Sequence, residues 1–137
     1  MTGGKGTLRY MAPEVIMNEE YTDSVDIYSF GLVMWYMCTG TKPLEPAMRA
    51  VHSPESLQLL GQKLRDGLRP DQSQITHAGL ASLMASMWDC NPLKRPSAAA
   101  ILSKLEQMKT DNMLLKVASR GRDDGRRPVA RRKCVVS

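Results

Sequence analysis

The residues of this chain that could do chemistry fall in three short strings. The first is GTLRYMAPE (residues 6–14), a loop bounded by glycine that carries the hydroxyl group of Thr7. The second is DIYSFG (residues 26–31), which begins with an aspartate, and the third is WDCNPLKRP (residues 88–96), which contains Arg95. Hydroxyl groups and carboxylates can orient a reacting partner by hydrogen bonds, and a guanidinium can pair with a carboxylate in bidentate fashion.

Taken alone, each of these side chains has a plain structural explanation. A loop threonine such as Thr7 commonly bonds its own backbone. Asp26, in the first turn of a predicted helix, complements the helix dipole by ~0.3–1 kcal/mol. An exposed pair between Glu14 and Arg95 would contribute under ~1 kcal/mol. A buried bidentate pair would instead fix register and cost ~3–5 kcal/mol if one partner were lost. Only the occurrence of the three strings together can distinguish these local explanations from a shared role.

In this order and with helix-length gaps, the three strings resemble the C-terminal half of a protein kinase domain over residues 1–118. The pattern looks most like the tyrosine-kinase-like group of serine/threonine kinases. The resemblance implies that Gly6, Thr7 and Tyr10 belong to the loop that receives the residue beside the phosphate acceptor. The presence of Thr7 in that loop favours serine/threonine substrates.

The resemblance also implies supporting roles for five side chains. The Thr7 hydroxyl would hydrogen-bond the catalytic-loop aspartate and lysine, and Asp26 would accept backbone N–H groups of that loop. Glu14 and Arg95 would form the ion pair that ties the activation segment to the loop before the last helices. Thr2 stands at an activation-loop phosphorylation position. None of these residues is itself catalytic.

Four kinase motifs do not occur in the 137 residues: a glycine-rich phosphate loop, a VAIK lysine, an HRD catalytic loop and a DFG magnesium ligand. We therefore expect this chain to bind neither ATP nor Mg²⁺, the cofactors that the resemblance implies for a complete kinase. Two functions stay open. The chain is either the C-terminal fragment of a serine/threonine kinase that acts on protein substrates when complete, or a non-catalytic kinase-like binding module. A start at Met1, inside an activation segment, also fits a truncated gene model.

Hydrophobic periodicity predicts a mainly α fold with no strand. Helices are expected over residues 24–39, with Gly40 as the stop, over 56–65 and over 78–89. A further helix starts near Ser97, with inward-facing positions that comprise Ile101, Leu102, Leu105 and Met108. Residues 1–11 and 41–54 are expected to be loops.

Residues 32–38 are apolar almost all round, which predicts burial on every side of the first long helix. In the kinase family this helix is wrapped partly by segments that precede residue 1 here. The resemblance therefore also predicts an exposed apolar patch on this chain.

Composition is that of a globular protein, with 42% hydrophobic and 24% charged residues and a length that suits one domain. No signal peptide or membrane span is visible. Three cysteines, an odd number, argue against a disulfide framework and favour a reducing, cytoplasmic setting. His52 and His77 lack partners at ligand spacing, so no structural metal is expected.

The last residues differ sharply in charge from the rest. Residues 119–137 hold seven Lys/Arg against two Asp/Glu, which accounts for the whole net charge of +5, and we expect a basic disordered tail. The final CVVS fits a CaaX prenylation signal at Cys134. A prenyl group and the adjoining basic cluster would together hold the chain on an anionic membrane. The alternative is a nuclear import signal or a nonspecific nucleic-acid contact, without specific recognition of nucleic acid.

Overall fold

The structure, a computed structural model, describes the backbone of residues 5–120 and the side chains of residues 6–112. Within that part there are α-helices and two short 3-10 turns but no strand, which confirms the mainly α fold class. The helices are α1 Lys5–Leu8, α2 Pro13–Ile16, α3 Ser24–Thr39, α4 Glu45–Arg49, α5 Pro54–Arg65, α6 Ala78–Met87 and α7 Ala98–Arg120. The 3-10 turns are Gln72–Gln74 and Pro92–Lys94.

The chain divides into two units, the first ending at Lys104 and the second beginning at Leu105. All contacts described below lie within the first unit. The boundary expected between residues 118 and 119 stays a prediction. Thr2, Cys134 and residues 121–137 of the basic tail lie outside the described residues, whereas residues 119 and 120, expected to belong to the disordered tail, are the last of α7.

Helix α3 has the bounds that its sequence predicts. It ends because Gly40 takes a left-handed conformation, with φ of 68°, and its N–H bonds the carbonyl oxygen of Tyr36 at 2.8 Å. Glycine adopts this conformation without the steric cost that a Cβ would add. Asp23 stands at the N-cap position but makes no side-chain capping bond.

The burial of α3 corrects one expectation and confirms another. Leu32 and Trp35 are buried, as expected. Phe30, Tyr36 and Met37 are 41%, 42% and 68% exposed, so the prediction of burial on every side is wrong. The described residues cover one face of α3 and leave the opposite face open. This open face is the exposed apolar patch that the kinase resemblance predicts.

Two glycines mark close contacts between helices. A Cβ atom on Gly31 of α3 would lie 3.2 Å from the Cβ of Met87 and 3.4 Å from the ring of Trp88, so α3 packs tightly against the end of α6. A Cβ on Gly61 of α5 would lie 2.9 Å from a methyl group of Ile16. These two contacts set α2, α3, α5 and α6 in place around the site described below.

An apolar cluster lies between α4 and α5. Its buried members are Leu44, Met48, Val51, Leu60 and Leu64. Both α4 and the single turn α1 fall in segments expected to be loops, because helices of four or five residues are too short to show a hydrophobic period. Leu102 of α7 is 57% exposed, which corrects its expected inward position.

Serine and histidine side chains cap three of the helices. The Ser53 hydroxyl accepts from the N–H of Ser56 at 3.1 Å and starts α5 at Pro54, two residues before its predicted start. The His77 Nδ1 atom accepts from the N–H of Leu80 at 3.1 Å, and the Ser97 hydroxyl accepts from the N–H of Ala100 at 3.1 Å. His77 therefore has a capping role at α6.

Candidate functional site

The segment of residues 6–11, here called the threonine loop, forms the exposed edge of the site. Gly6 and Thr7 are exposed at its start. Two backbone bonds then turn the chain, from the N–H of Tyr10 to the oxygen of Thr7 at 3.3 Å and from the N–H of Met11 to the oxygen of Leu8 at 3.2 Å. The Thr7 hydroxyl is thus presented at the surface on a turn with defined backbone geometry.

Helix α3 holds the far end of the threonine loop. The Ser29 hydroxyl donates to the carbonyl oxygen of Tyr10 at 2.7 Å and also approaches the carbonyl oxygen of Val25 at 3.1 Å. Ser29 is partly buried. A loop carbonyl fixed in this way cannot turn to solvent without the loss of a hydrogen bond.

Arg9 anchors the middle of the threonine loop to α4. Its Nη1 donates to the carbonyl oxygen of Pro43 at 2.7 Å, and its Nη2 lies 2.7 Å from the Oε2 of Glu45. The Arg9 side chain is only 9% exposed. The neighbouring guanidiniums of Arg9 and Arg49 lower the pKa of Glu45 against the opposing effect of burial, which is the largest single influence on this carboxyl.

Glu14 and Arg95, 81 residues apart in sequence, form a buried bidentate ion pair. The Nη1 of Arg95 donates to Oε1 of Glu14, and Nη2 donates to Oε2 at 3.1 Å. The Arg95 side chain is fully buried, and that of Glu14 is 6% exposed. Since both charges are out of water and each satisfies the other, removal of one would strand its partner.

Arg95 uses its remaining donors on two further segments. Its Nε donates to the carbonyl oxygen of Asp89 at 3.0 Å, after the end of α6, and its Nη1 also donates to the carbonyl oxygen of Ser24 at 3.2 Å, at the start of α3. One guanidinium therefore joins α2, α3 and the α6–α7 connection. The threonine loop leads directly into α2, so this junction fixes the segment that follows the loop.

Tyr28 of α3 lies against this junction. Its ring centroid is 5.0 Å from the Cζ of Arg95 and 5.2 Å from the Cζ of Arg69, a cation–π geometry. The side chain is fully buried, and its hydroxyl has no hydrogen-bond partner among the described residues. Burial raises the pKa of Tyr28 to about 12, against the lowering effect of the two guanidiniums.

Arg69 fixes the chain between α5 and α6. Its Nε donates to the carbonyl oxygen of Trp88 at 2.9 Å and its Nη1 to the carbonyl oxygen of Leu64 at 2.6 Å. Its Nη2 lies 3.2 Å from the sulfur of Cys90. Each of the three guanidinium nitrogens thus contacts a protein group, which indicates an architectural role for Arg69.

Asp26 stands apart from these contacts. It lies exposed in the first turn of α3, where a carboxylate complements the positive end of the helix dipole. The structure brings Glu14 and Arg95 together and sets Thr7 and Tyr10 on one loop, whereas Asp26 joins neither group. Thr2 and Cys134 lie outside the described residues.

In the part of the chain that the structure describes, no three His, Cys, Asp or Glu side chains lie together as a metal site. None of the helices described combines the length and apolar character needed to cross a bilayer.

Sequence reasoning missed two contacts of the site. The contact between Arg9 and Glu45 joins residues 36 positions apart, with no periodic signal to relate them. An arginine amid the apolar residues of the threonine loop was the only sign of it. The approach of Arg69 to Tyr28 was missed in the same way.

Residues 1–105 match the family described as protein tyrosine and serine/threonine kinase. The chain is 35% identical over 108 residues to the serine/threonine-protein kinase STY46 of Arabidopsis thaliana, which covers 79% of this chain and 18% of that protein.

Two further relatives are similar in extent. The dual serine/threonine and tyrosine protein kinase of Homo sapiens is 35% identical over 101 residues, 74% of this chain and 10% of that protein. The probable serine/threonine-protein kinase roco5 of Dictyostelium discoideum is 36% identical over 99 residues, 70% of this chain and 4% of that protein. The chain spans less than a fifth of the length of these relatives.

Proposed function

The chain belongs to the protein tyrosine and serine/threonine kinase family, and we propose that it forms the substrate-loop and helical portion of a serine/threonine kinase. The complete kinase would transfer the γ-phosphoryl group of ATP to serine or threonine hydroxyls of protein substrates. The observation that carries this proposal is the exposed Thr7 on a loop held from three sides, by Ser29, by Arg9 and by the buried pair of Glu14 and Arg95.

This geometry suits phosphoryl transfer because catalysis of that reaction depends on positioning and charge stabilisation more than on covalent chemistry by the protein. The fixed carbonyl group of Tyr10 and the anchored side chain of Arg9 hold the backbone of the loop that carries Thr7. In our proposal, Thr7 meets the catalytic loop of the complete kinase, and Asp26 accepts backbone N–H groups of that loop. Both side chains are exposed and accessible to such a partner segment.

ATP and Mg²⁺ would serve the complete kinase and would be bound elsewhere than at the residues described. This proposal rests on the sequence, in which the four ATP and catalytic motifs do not occur. We therefore derive no catalytic step from this portion alone.

The first test is ATP turnover by the purified chain of 137 residues. We expect no transfer of labelled phosphate to myelin basic protein above a blank without enzyme. The kinase domain of the Arabidopsis relative, assayed in parallel, controls for the assay conditions. Phosphate transfer by the purified chain would contradict the proposed inactivity.

The second test is a chimera in which the matching 108 residues of the Arabidopsis kinase are replaced by those of this chain. We expect the chimera to phosphorylate serine and threonine peptides but not a tyrosine peptide. Thr7→Ala in the chimera should lower kcat/KM by about 100-fold, because a misplaced substrate segment loses its near-attack geometry. Thr7→Ser, which keeps the hydroxyl, should retain activity. A folded chimera that prefers tyrosine would overturn the substrate class.

The competing proposal is a non-catalytic binding module that is prenylated at Cys134 and associates with anionic membranes through the basic tail. It rests on the terminal CVVS and on the preceding arginines alone. Metabolic labelling with a farnesyl analogue, with Cys134→Ser as control, tests it. Label that depends on Cys134, together with an inactive chimera, would favour this module over the kinase portion.

A further inference from the structure

A cavity of about 600 Å³ lies between the end of α3, helix α4 and the chain that follows α5. This volume falls within the ~300–1,000 Å³ typical of sites for small organic ligands. The cavity is separate from the threonine loop and from the junction of Arg95. Its residues all belong to the unit that ends at Lys104.

The floor of the cavity is apolar. Trp35, which is 3% exposed, and Leu44, which is 8% exposed, line it together with Ala47, Leu68 and Pro70. The indole N–H of Trp35 donates to the carbonyl oxygen of Asp71 at 3.1 Å, so the floor offers no free indole donor. A ligand that reaches the floor would therefore present a hydrocarbon surface to it.

The charge at the rim is positive. Lys42 and Lys63 line the cavity and are exposed, and neither has an acidic group within ion-pair distance among the described residues. The two carboxylates of the rim differ, because Glu45 has cationic partners whereas Asp71 has only neutral hydrogen-bond donors among the described residues. Glu45 lies between Arg9 and Arg49, at 2.7 and 3.4 Å. Asp71 accepts from the N–H of Ser73 at 2.9 Å and from its hydroxyl at 2.7 Å.

We propose that this cavity binds a small amphiphile with an apolar body and one carboxylate, such as a medium-chain fatty acid. The apolar body would lie on the floor formed by Trp35 and Leu44, and the carboxylate would pair with the ammonium groups of Lys42 and Lys63. This chemistry follows from an apolar floor without a free indole donor and from a rim where, in the part of the chain described, two unpaired lysines outnumber the one carboxylate, Asp71, that lacks a cationic partner. The proposal does not depend on kinase activity.

Calorimetric titration of the full chain with octanoate tests the proposal, and octan-1-ol and octyltrimethylammonium serve as neutral and cationic ligands of equal chain length. We expect octanoate to bind more tightly than octan-1-ol, and the cation not to bind. In Lys42→Gln/Lys63→Gln, octanoate affinity should fall about tenfold while octan-1-ol affinity is unchanged. Lys94→Gln, at an exposed lysine outside the cavity, is the matched control.

Two further variants locate the ligand. Trp88→Phe leaves Trp35 as the sole tryptophan of the two in the chain, and its emission should change on titration with octanoate. Ala50→Phe adds a ring at the cavity wall from an exposed position and should abolish binding of both octanoate and octan-1-ol. Thermal unfolding of each variant verifies that it is folded.

Three outcomes would overturn the proposal. One is equal affinity for octanoate and octyltrimethylammonium, and another is octanoate affinity that the double lysine variant leaves unchanged. The third is no octanoate binding by the folded chain, with binding instead of a peptide of acidic and apolar residues, which would reassign the cavity to a protein partner.

Discussion

Two glutamate–arginine pairs, whose glutamates are five residues apart in sequence, show how burial decides what the same chemistry does. Glu14 pairs with Arg95, and Glu19 pairs with Arg65, each through two hydrogen bonds. The side chains of the first pair are 6% and 0% exposed, and those of the second are 45% and 38% exposed.

The inner pair is a junction and the outer pair is a surface contact. Arg95 also bonds the carbonyl oxygens of Asp89 and Ser24, whereas the Arg65 guanidinium bonds only Glu19 among the described residues. Because both charges of the inner pair are buried, neither can reach water if the other is removed. The two side chains therefore depend on each other. Charges in the outer pair return to water when they part. Bidentate geometry alone therefore does not identify a structural anchor.

The largest effect is expected from Glu14→Gln. This change strands the buried Arg95 charge, and the free energy of unfolding should fall by about 3–5 kcal/mol in chemical denaturation. Glu14→Gln combined with Arg95→Met should be less destabilised than the sum of the two single variants. A loss comparable to that of an exposed ion pair would place Glu14 in the same class as Glu19.

Arg9→Met should have an intermediate effect, since Arg9 is 9% exposed and joins the threonine loop to α4. We expect a loss of about 1.5–3 kcal/mol in the free energy of unfolding, the range for hydrogen bonds to charged groups. Amide hydrogen exchange should also quicken in residues 6–11. The matched control is Arg49→Met, which removes the exposed partner of the same Glu45 and should change neither quantity. Equal effects of the two variants would refute an anchoring role for Arg9.

Tyr28→Phe tests the buried region through the pH dependence of the free energy of unfolding. Since the pKa of Tyr28 is raised to about 12 in the folded chain, the folded form holds its proton where the unfolded form loses it. The free energy of unfolding should therefore fall as pH rises above about 10, by about 1.4 kcal/mol per pH unit from this group.

The comparison with Tyr21, which is 63% exposed, supplies the control for that measurement. Tyr28→Phe should remove this alkaline loss and leave the neutral-pH stability equal or slightly higher, because the Tyr28 hydroxyl has no partner in the described residues. Tyr21→Phe should leave the alkaline loss intact. If the free energy of unfolding fell equally above pH 10 in Tyr28→Phe and in the unchanged chain, the assignment of this loss to Tyr28 would be contradicted.

The smallest effect is expected from Glu19→Gln. Its pair with Arg65 is half exposed, so removal of the charge should change stability little at low salt and not at all in 1 M sodium chloride. The hydrogen bond from Arg65 lowers the pKa of Glu19, so the contribution of this carboxylate is present above its ordinary pKa and lost as pH falls through the lowered value. A large loss of stability that persists in 1 M sodium chloride would mean that exposure does not explain the difference between the two ion pairs.

The sequence was informative where local rules act and silent where distant segments meet. The ends of α3 could be predicted because Gly40 supplies a left-handed stop, and the start of α7 because Ser97 is a good N-cap. The pairing of Glu14 with Arg95 came from the family resemblance, since no local rule relates residues so far apart. The contact of Arg9 with Glu45 had no such guide and was missed.

The error on α3 has a physical origin too. Periodicity reports that a helix is apolar on all sides, but it does not report which neighbours are available. Phe30, Tyr36 and Met37 are exposed because the described residues cover only the opposite face. The kinase resemblance anticipated this patch, whereas the hydrophobic pattern alone gave the opposite prediction.

The central claim is that the buried pair of Glu14 and Arg95 anchors the segment that carries the threonine loop. A double-mutant cycle with Glu14→Gln and Arg95→Met, measured beside a cycle with Glu19→Gln and Arg65→Met, tests it most directly. We expect a coupling free energy of at least about 2 kcal/mol for the buried pair and no coupling distinguishable from zero for the exposed pair. Equal coupling in the two cycles would contradict the claim.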